Sequence, residues 1–117
     1  MTDRKLLELA AKAAGLKLSF YDGVHRNATG ADPAMNICAF PVWNPLNDDG
    51  DALRLAVKLG MTVCIDYAKL KVSVWDGRSE WGFVSLSSDG ININKDPYAA
   101  TRRAIVRAAA GIGMAMK

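Results

Sequence analysis

The sequence predicts an α+β fold, with helices packed on one face of an antiparallel sheet in the order α-β-β-α-β-β-β-α. Three observations carry this expectation. Residues 44–65 run from a helix start through a helix and its stop into a strand. Residues 63–83 alternate apolar and polar side chains around two turn signals. Asp96-Pro97 then opens a last helix. With 117 residues, 50% of them hydrophobic and 23% charged, the chain fits one domain with a real core.

Taken in order, Thr2 is placed to cap a helix running to about Ala14, with Leu6, Leu9, Ala10 and Ala13 as its apolar stripe and Gly15 as its stop. Leu16, Leu18 and Phe20 alternate with Lys17, Ser19 and Tyr21, the pattern of a short strand, and Asp22-Gly23 is a turn signal. Val24 to Asn36 shows no periodicity and reads as a surface loop. Asn36 to Val42 is apolar enough for a second strand. Pro41 has no amide to donate, which assigns this strand to an edge or ends it there.

The next helix has Asn47, Asp48 or Asp49 as its cap and Gly60 as its stop. Ala52, Leu53, Leu55, Ala56, Val57 and Leu59 leave only Asp51, Arg54 and Lys58 as a polar edge, so the helix is expected to be mostly buried. Beyond it, a two-residue turn at Ala68-Lys69 sets Val63 opposite Val74, Ile65 opposite Val72, Tyr67 opposite Leu70 and Asp66 opposite Lys71. A two-residue turn at Asp76-Gly77 sets Trp81 opposite Val72, Phe83 opposite Leu70 and Ser73 opposite Glu80. One apolar sheet face results. Ser87 to Lys95 reads as a polar loop in which Ile91 and Ile93 can add a short strand. In the last helix, from Pro97 to about Met116, Tyr98, Ile105, Ala108, Ala109, Ile112 and Met116 are expected inside, with Arg103 and Arg107 on the opposite face. Gly111 and Gly113 either weaken its last turns or allow close packing.

Charge is uneven along the chain. The total is +3, but from Lys95 onward five basic residues (Lys95, Arg102, Arg103, Arg107 and Lys117) face Asp96 alone, a net +4, which leaves −1 for residues 1–94. Arg102, Arg103 and Arg107 are therefore candidate contacts for an acidic partner or for nucleic-acid phosphates, beside the plainer reading of a solvated helix face. The segment from Asp51 onward shares the α-β-β-β-α order of double-stranded-RNA-binding domains. It lacks their long loop between the first two strands and the lysine cluster that opens their last helix.

Trp75 falls on the polar face beside the Asp76-Gly77 turn, where it either anchors a protein interface as an exposed tryptophan or is covered by the first strands or the Val24–Asn36 loop, whereas Trp81 is expected in the core. Asp48, Asp49 and Asp51, with Asp66, read as helix caps before they read as calcium or magnesium ligands, because no D-x-D-x-D-G loop followed by glutamate surrounds them. His25 reads as a surface residue without a nucleophile or carboxylate partner at a telling spacing. Cys38 and Cys64 read as reduced, buried thiols, and a lone histidine with two distant cysteines disfavours zinc. There is no phosphate-cradling glycine loop and no nucleophile elbow. No cofactor, no metal and no catalysis are expected. Apolar runs fall short of the roughly 20 residues of a membrane span, and Asp3, Arg4 and Lys5 lead into no signal-peptide block, so a cytoplasmic protein is expected.

The blocks Trp43 to Gly60 and Asp96 to Ala109 resemble uncharacterised small proteins of tailed phages and prophages, and more loosely the NinX-like phage proteins. The match covers both later helices, about a third of the chain. It implies a phage or prophage accessory protein in the cytoplasm of a bacterial host, which is an origin rather than a mechanism. Taken with the lack of a catalytic constellation and with Trp75 and the basic helix as contact surfaces, it leads to the expectation that the protein acts by binding a host or phage protein. The resemblance brings no catalytic residues with it.

Overall fold

The computed structural model describes residues 2–30, 34, 36, 39–69, 71–75, 80–85 and 95–116. It is an α+β fold in which, among the described residues, three helices accompany two small antiparallel sheets, rather than the single sheet expected. Helix α1 spans Asp3–Ala14. Its Thr2 cap accepts a hydrogen bond from the Lys5 amide, and left-handed Gly15 (φ 73°) ends it, as the sequence predicts. The buried stripe is Leu6, Leu7, Ala10, Ala11 and Ala14, so Leu9 and Ala13 lie on its flank.

Strands β1 (Leu18–Tyr21) and β2 (Val24–Asn27) form a hairpin. Asp22 and Gly23 both have positive φ, 53° and 79°, the backbone that a two-residue hairpin loop requires. The expectation of a surface loop from Val24 is thus corrected. The four residues Val24-His25-Arg26-Asn27 lack apolar alternation, yet the turn before them delivers them to β1 for pairing. The strand expected over Asn36–Val42 is corrected too. Ala39 lies in a helical turn, Phe40 in a bend, and Val42 alone bridges to Arg26, while Ile37 and Cys38 lie outside the described residues. Around that bridge Pro41 accepts from the Asn27 amide and the Trp43 amide donates to the His25 carbonyl. Residues 41–43 thereby lie along the outer edge of β2.

Helix α2 spans Asp49–Leu59 between the Asp48 cap and left-handed Gly60. It is not mostly buried. Only Ala52, Leu55 and Ala56 are inside, whereas Leu53 and Val57 are 64% and 72% exposed. Among the described elements the helix packs chiefly against the last helix and, less, against α1, so one stripe of it meets protein.

Strands β3 (Thr62–Asp66), β4 (Lys71–Trp75) and β5 (Glu80–Ser85) form the second sheet, with β4 in the centre. The β3–β4 register is the one predicted: Val63 faces Val74, Ile65 faces Val72 and Asp66 faces Lys71. The partner expected for Tyr67, Leu70, lies outside the described residues. The β4–β5 register differs from expectation. Val72 pairs with Val84, Ser73 with Phe83 and Val74 with Gly82, then after an irregularity Trp75 pairs with Glu80. Four residues rather than two separate Trp75 from its partner, which slides β5 by two positions there, and the irregularity adds a third from Val74 onward. The Asp76-Gly77 turn itself, Ile91 and Ile93 lie outside the described residues.

Val72 and Val74 are wholly buried, but Ile65 and Tyr67 are exposed, against the expectation of one continuous apolar face. The cause is position in the sheet. β3 is an edge strand, and the last helix lies mainly over β5 and β4.

That helix, α3 (Pro97–Ala115), is the hub. Asp96 caps it by accepting from the Ala99 amide, and Pro97 occupies its first turn. It packs against α1 most extensively, then β5, α2 and β4. Ala100, Ala104, Ile105, Val106, Ala108, Ala109, Ala110 and Gly113 are buried, a set spread round the helix rather than confined to one stripe. Tyr98 and Met116, expected inside, are exposed beyond the neighbours' reach, and Ile112 is half-buried. Among the described residues no helix is long and apolar enough to cross a membrane.

Candidate functional site

Two of the three candidate arginines of α3 tie the fold together. Arg102 donates from Nε to the Leu46 carbonyl (2.8 Å) and from Nη1 to Asp49 Oδ1 (2.6 Å), with its side chain only 17% exposed. Arg103 donates to Asp3 Oδ1 at 3.0 Å, linking α3 to the first turn of α1. Arg107 is half-buried. Trp75 is half-buried at the end of β4, between Thr62 and Glu80 in the register. Trp81 pairs through no regular position, falling at the irregularity opposite Val74 and Trp75.

The aspartates before and within α2 are occupied one by one. Asp48 accepts from the Asp51 amide (2.8 Å), and Asp49 receives Arg102. Asp51 accepts from the Asn44 amide (2.9 Å) and from Arg54 (2.7 Å), while Asp66 accepts from the Lys69 amide. Among the described residues no three His, Cys, Asp or Glu side chains converge as a metal site. Cys64 is exposed on β3, against the expectation of a buried thiol, for the same edge-strand reason as Ile65. Cys38 lies outside the described residues.

His25 is not on the surface. Facing inward from β2, it is 5% exposed, and its Nε2 lies 3.3 Å from Glu8 Oε2 on α1. An ionised carboxylate only accepts hydrogen bonds, so Nε2 carries the proton in that state. Arg4 donates to the same Glu8 oxygen (3.2 Å) and lies 3.9 Å from the centroid of the Phe20 ring, which in turn meets His25 edge-on. The hydrogen bond from His25 holds the Glu8 carboxyl below its ordinary value. Arg4 adds to this and partial desolvation opposes it.

Because the folded value is the lower one, ionised Glu8 stabilises the fold fully above the unfolded value of 4.5. That contribution is lost as pH falls through the folded value. Glu8→Gln is therefore expected to lower the melting temperature at neutral pH, with the gap from wild type closing as the solution is acidified below about pH 4.5. Thermal melts of both proteins across that range check this. A gap that widens on acidification would contradict it.

A concave feature of the described surface lies elsewhere. Left-handed Gly15 turns the chain out of α1, so that Leu16 follows beside Ala14. The β2 edge brings in Val42 and Trp43, and α2 supplies Leu55. Together they floor a groove of about 300 Å3, with Arg54 and Lys58 at its rim. Leu53 and Val57, each next in sequence to one of these cations, extend the surface outward. Sequence reasoning placed Leu53 and Val57 in the core and assigned nothing to the groove, whose walls come from four separated stretches of chain. What distinguishes them is that no helix or strand among the described residues covers that side of α2, and that is a tertiary fact. Compared with protein-family models, with curated proteins and with solved structures, the chain finds no match.

Proposed function

We propose that this chain is a non-catalytic accessory protein that binds a partner protein through the outer face of α2 and the groove beside it. The carrying observation is the exposure of Leu53 and Val57, at 64% and 72%, one turn apart on a helix capped at both ends. Apolar side chains so displayed at i and i+4 form a docking stripe of the kind that a partner covers on binding. The resemblance of residues 43–60 and 96–109 to small phage and prophage proteins makes a host or phage protein the partner class. Trp75, half-buried, is a secondary contact in this reading. Contact with nucleic acid through Arg102, Arg103 and Arg107 has less support, since Arg102 and Arg103 already hold carboxylates within the fold.

The test is affinity capture with the wild type and with Leu53→Glu/Val57→Glu. Both positions face solvent, so the variant is expected to fold with a stability change of about 0.5 kcal/mol or less per site. A genuine partner is expected to bind it about a hundredfold more weakly, each lost apolar contact being worth roughly a factor of ten. Equal capture by both proteins refutes the reading. Retention of duplex DNA or RNA at low salt, lost with Arg103→Glu, would replace it with the nucleic-acid alternative.

A further inference from the structure

We infer that the groove beside α2 takes an acidic segment of a partner protein, whose apolar side chain enters the pocket while its carboxylates meet Arg54 and Lys58. This rests on the protein-binding reading above and specifies the chemistry of the bound segment. The floor is apolar: Leu16, Val42, Trp43 and Leu55. Its volume of about 300 Å3 is at the small end of ligand pockets, room for one or two side chains of an extended or helical segment. Such a floor selects for an apolar anchor.

The rim selects for charge. Asp51 is the acidic group of the lining, and it is 13% exposed with both oxygens engaged, one by the Asn44 amide and the other by Arg54. It is therefore withdrawn from anything entering the groove. Arg54, by contrast, is 72% exposed and is held in place by Asp51 and, at 3.8 Å, by Asp48. Lys58 is exposed and forms no ion pair among the described residues. The two cations stand four residues apart on one helix, where like charges repel. Asp51 and Asp48 account for Arg54 within the fold, whereas Lys58, in the last turn, has among the described residues only the helix dipole as its counterpart. A carboxylate between them relieves that repulsion. A nucleic-acid strand fits less well, because an apolar floor of this size offers phosphates nothing.

A random peptide library selected against the intact protein, followed by fluorescence-anisotropy titration of the enriched peptides, tests this. Peptides that combine Asp or Glu with a Leu, Phe or Trp anchor are expected. Their affinity should fall about tenfold with Lys58→Glu, a substitution that disturbs no ion pair of the described fold. Replacing the acidic residues of a peptide by lysine should then restore binding to the Lys58→Glu protein. If peptides bind but tolerate neutralisation of their carboxylates, the inference is overturned. The protein-binding reading then still stands, provided that Leu53→Glu/Val57→Glu abolishes that binding. If no peptide is enriched, the inference is also overturned, and the protein-binding reading is decided separately by the capture experiment.

Discussion

Gly113→Ala is expected to destabilise the protein by about 2–3 kcal/mol, although in an ordinary helix the same change stabilises by up to about 1 kcal/mol. The sign reverses because of what α3 meets at that point. A methyl group built on Gly113 overlaps the Leu9 carbonyl oxygen and lies 2.8 Å from its carbon, so the obstacle is backbone of α1 and not a side chain that can rotate away. Relief requires α1 to move off α3. Those two helices share the most extensive contact in the fold, with Ala10, Ala11 and Ala14 of α1 and Ala109 and Ala110 of α3 all buried. Small side chains there set a short interaxial distance, and any separation opens voids around every one of them. Lys12, which donates to the Met116 carbonyl, would be pulled from its partner as well. Gly113→Val is expected to leave no folded protein at ambient temperature. Urea unfolding monitored by circular dichroism measures the alanine variant. A midpoint equal to or above that of wild type would show that α1 and α3 do not approach as described.

What the sequence disclosed and what it hid divide along the range of the interactions involved. The caps at Thr2, Asp48 and Asp96 and the stops at Gly15 and Gly60 were all legible, because a cap is a contract between residues three or four apart. The β3–β4 register was legible for the same reason, its turn lying between the strands that it pairs. The β4–β5 register was not, since it depends on how many residues the connection takes up, and Asp76-Gly77 suggested two where four intervene. Strand β2 was hidden by its composition, although the Asp22-Gly23 turn implied a strand on either side of it.

Burial was the least legible property. Leu53, Val57, Ile65 and Tyr98 are apolar and correctly assigned to their elements, yet each is exposed, because none of the described elements covers that side. His25 is the converse, polar but enclosed by Glu8 and Phe20 once β2 lies against α1. The candidate site shared this fate. Positive charge on α3 could be read from residues 95–117, but not that Asp3 and Asp49 wait for Arg103 and Arg102 across the fold. Equally, nothing in the order of residues announced that Leu16, Trp43 and Leu55 would meet.

Arg102→Met is expected to cost about 2 kcal/mol, the usual range for losing a charged hydrogen bond to a partly enclosed carbonyl. The Leu46 carbonyl belongs to the turn that leads into α2, anchored by wholly buried Pro45, and Arg102 is the side chain that joins this turn to α3. Asp49, the other partner, is 70% exposed at its side chain, so Asp49→Asn should cost only about 0.5 kcal/mol or less. A double-mutant cycle by chemical denaturation then separates the two bonds, and the carbonyl is expected to carry the larger share. Arg102→Lys keeps the charge but lacks the planar fork that reaches both acceptors, and should recover only part of the loss. A phosphate-contacting arginine behaves differently: its removal leaves stability unchanged, and lysine replaces it well. A fully stable Arg102→Met protein would therefore release this guanidinium for phosphate and revive the nucleic-acid reading. If the loss is seen, a second consequence follows at a distance. Freeing the start of α2 loosens Asp48 and Asp51, which position Arg54, so segment binding in the groove should weaken in a variant that touches no groove residue.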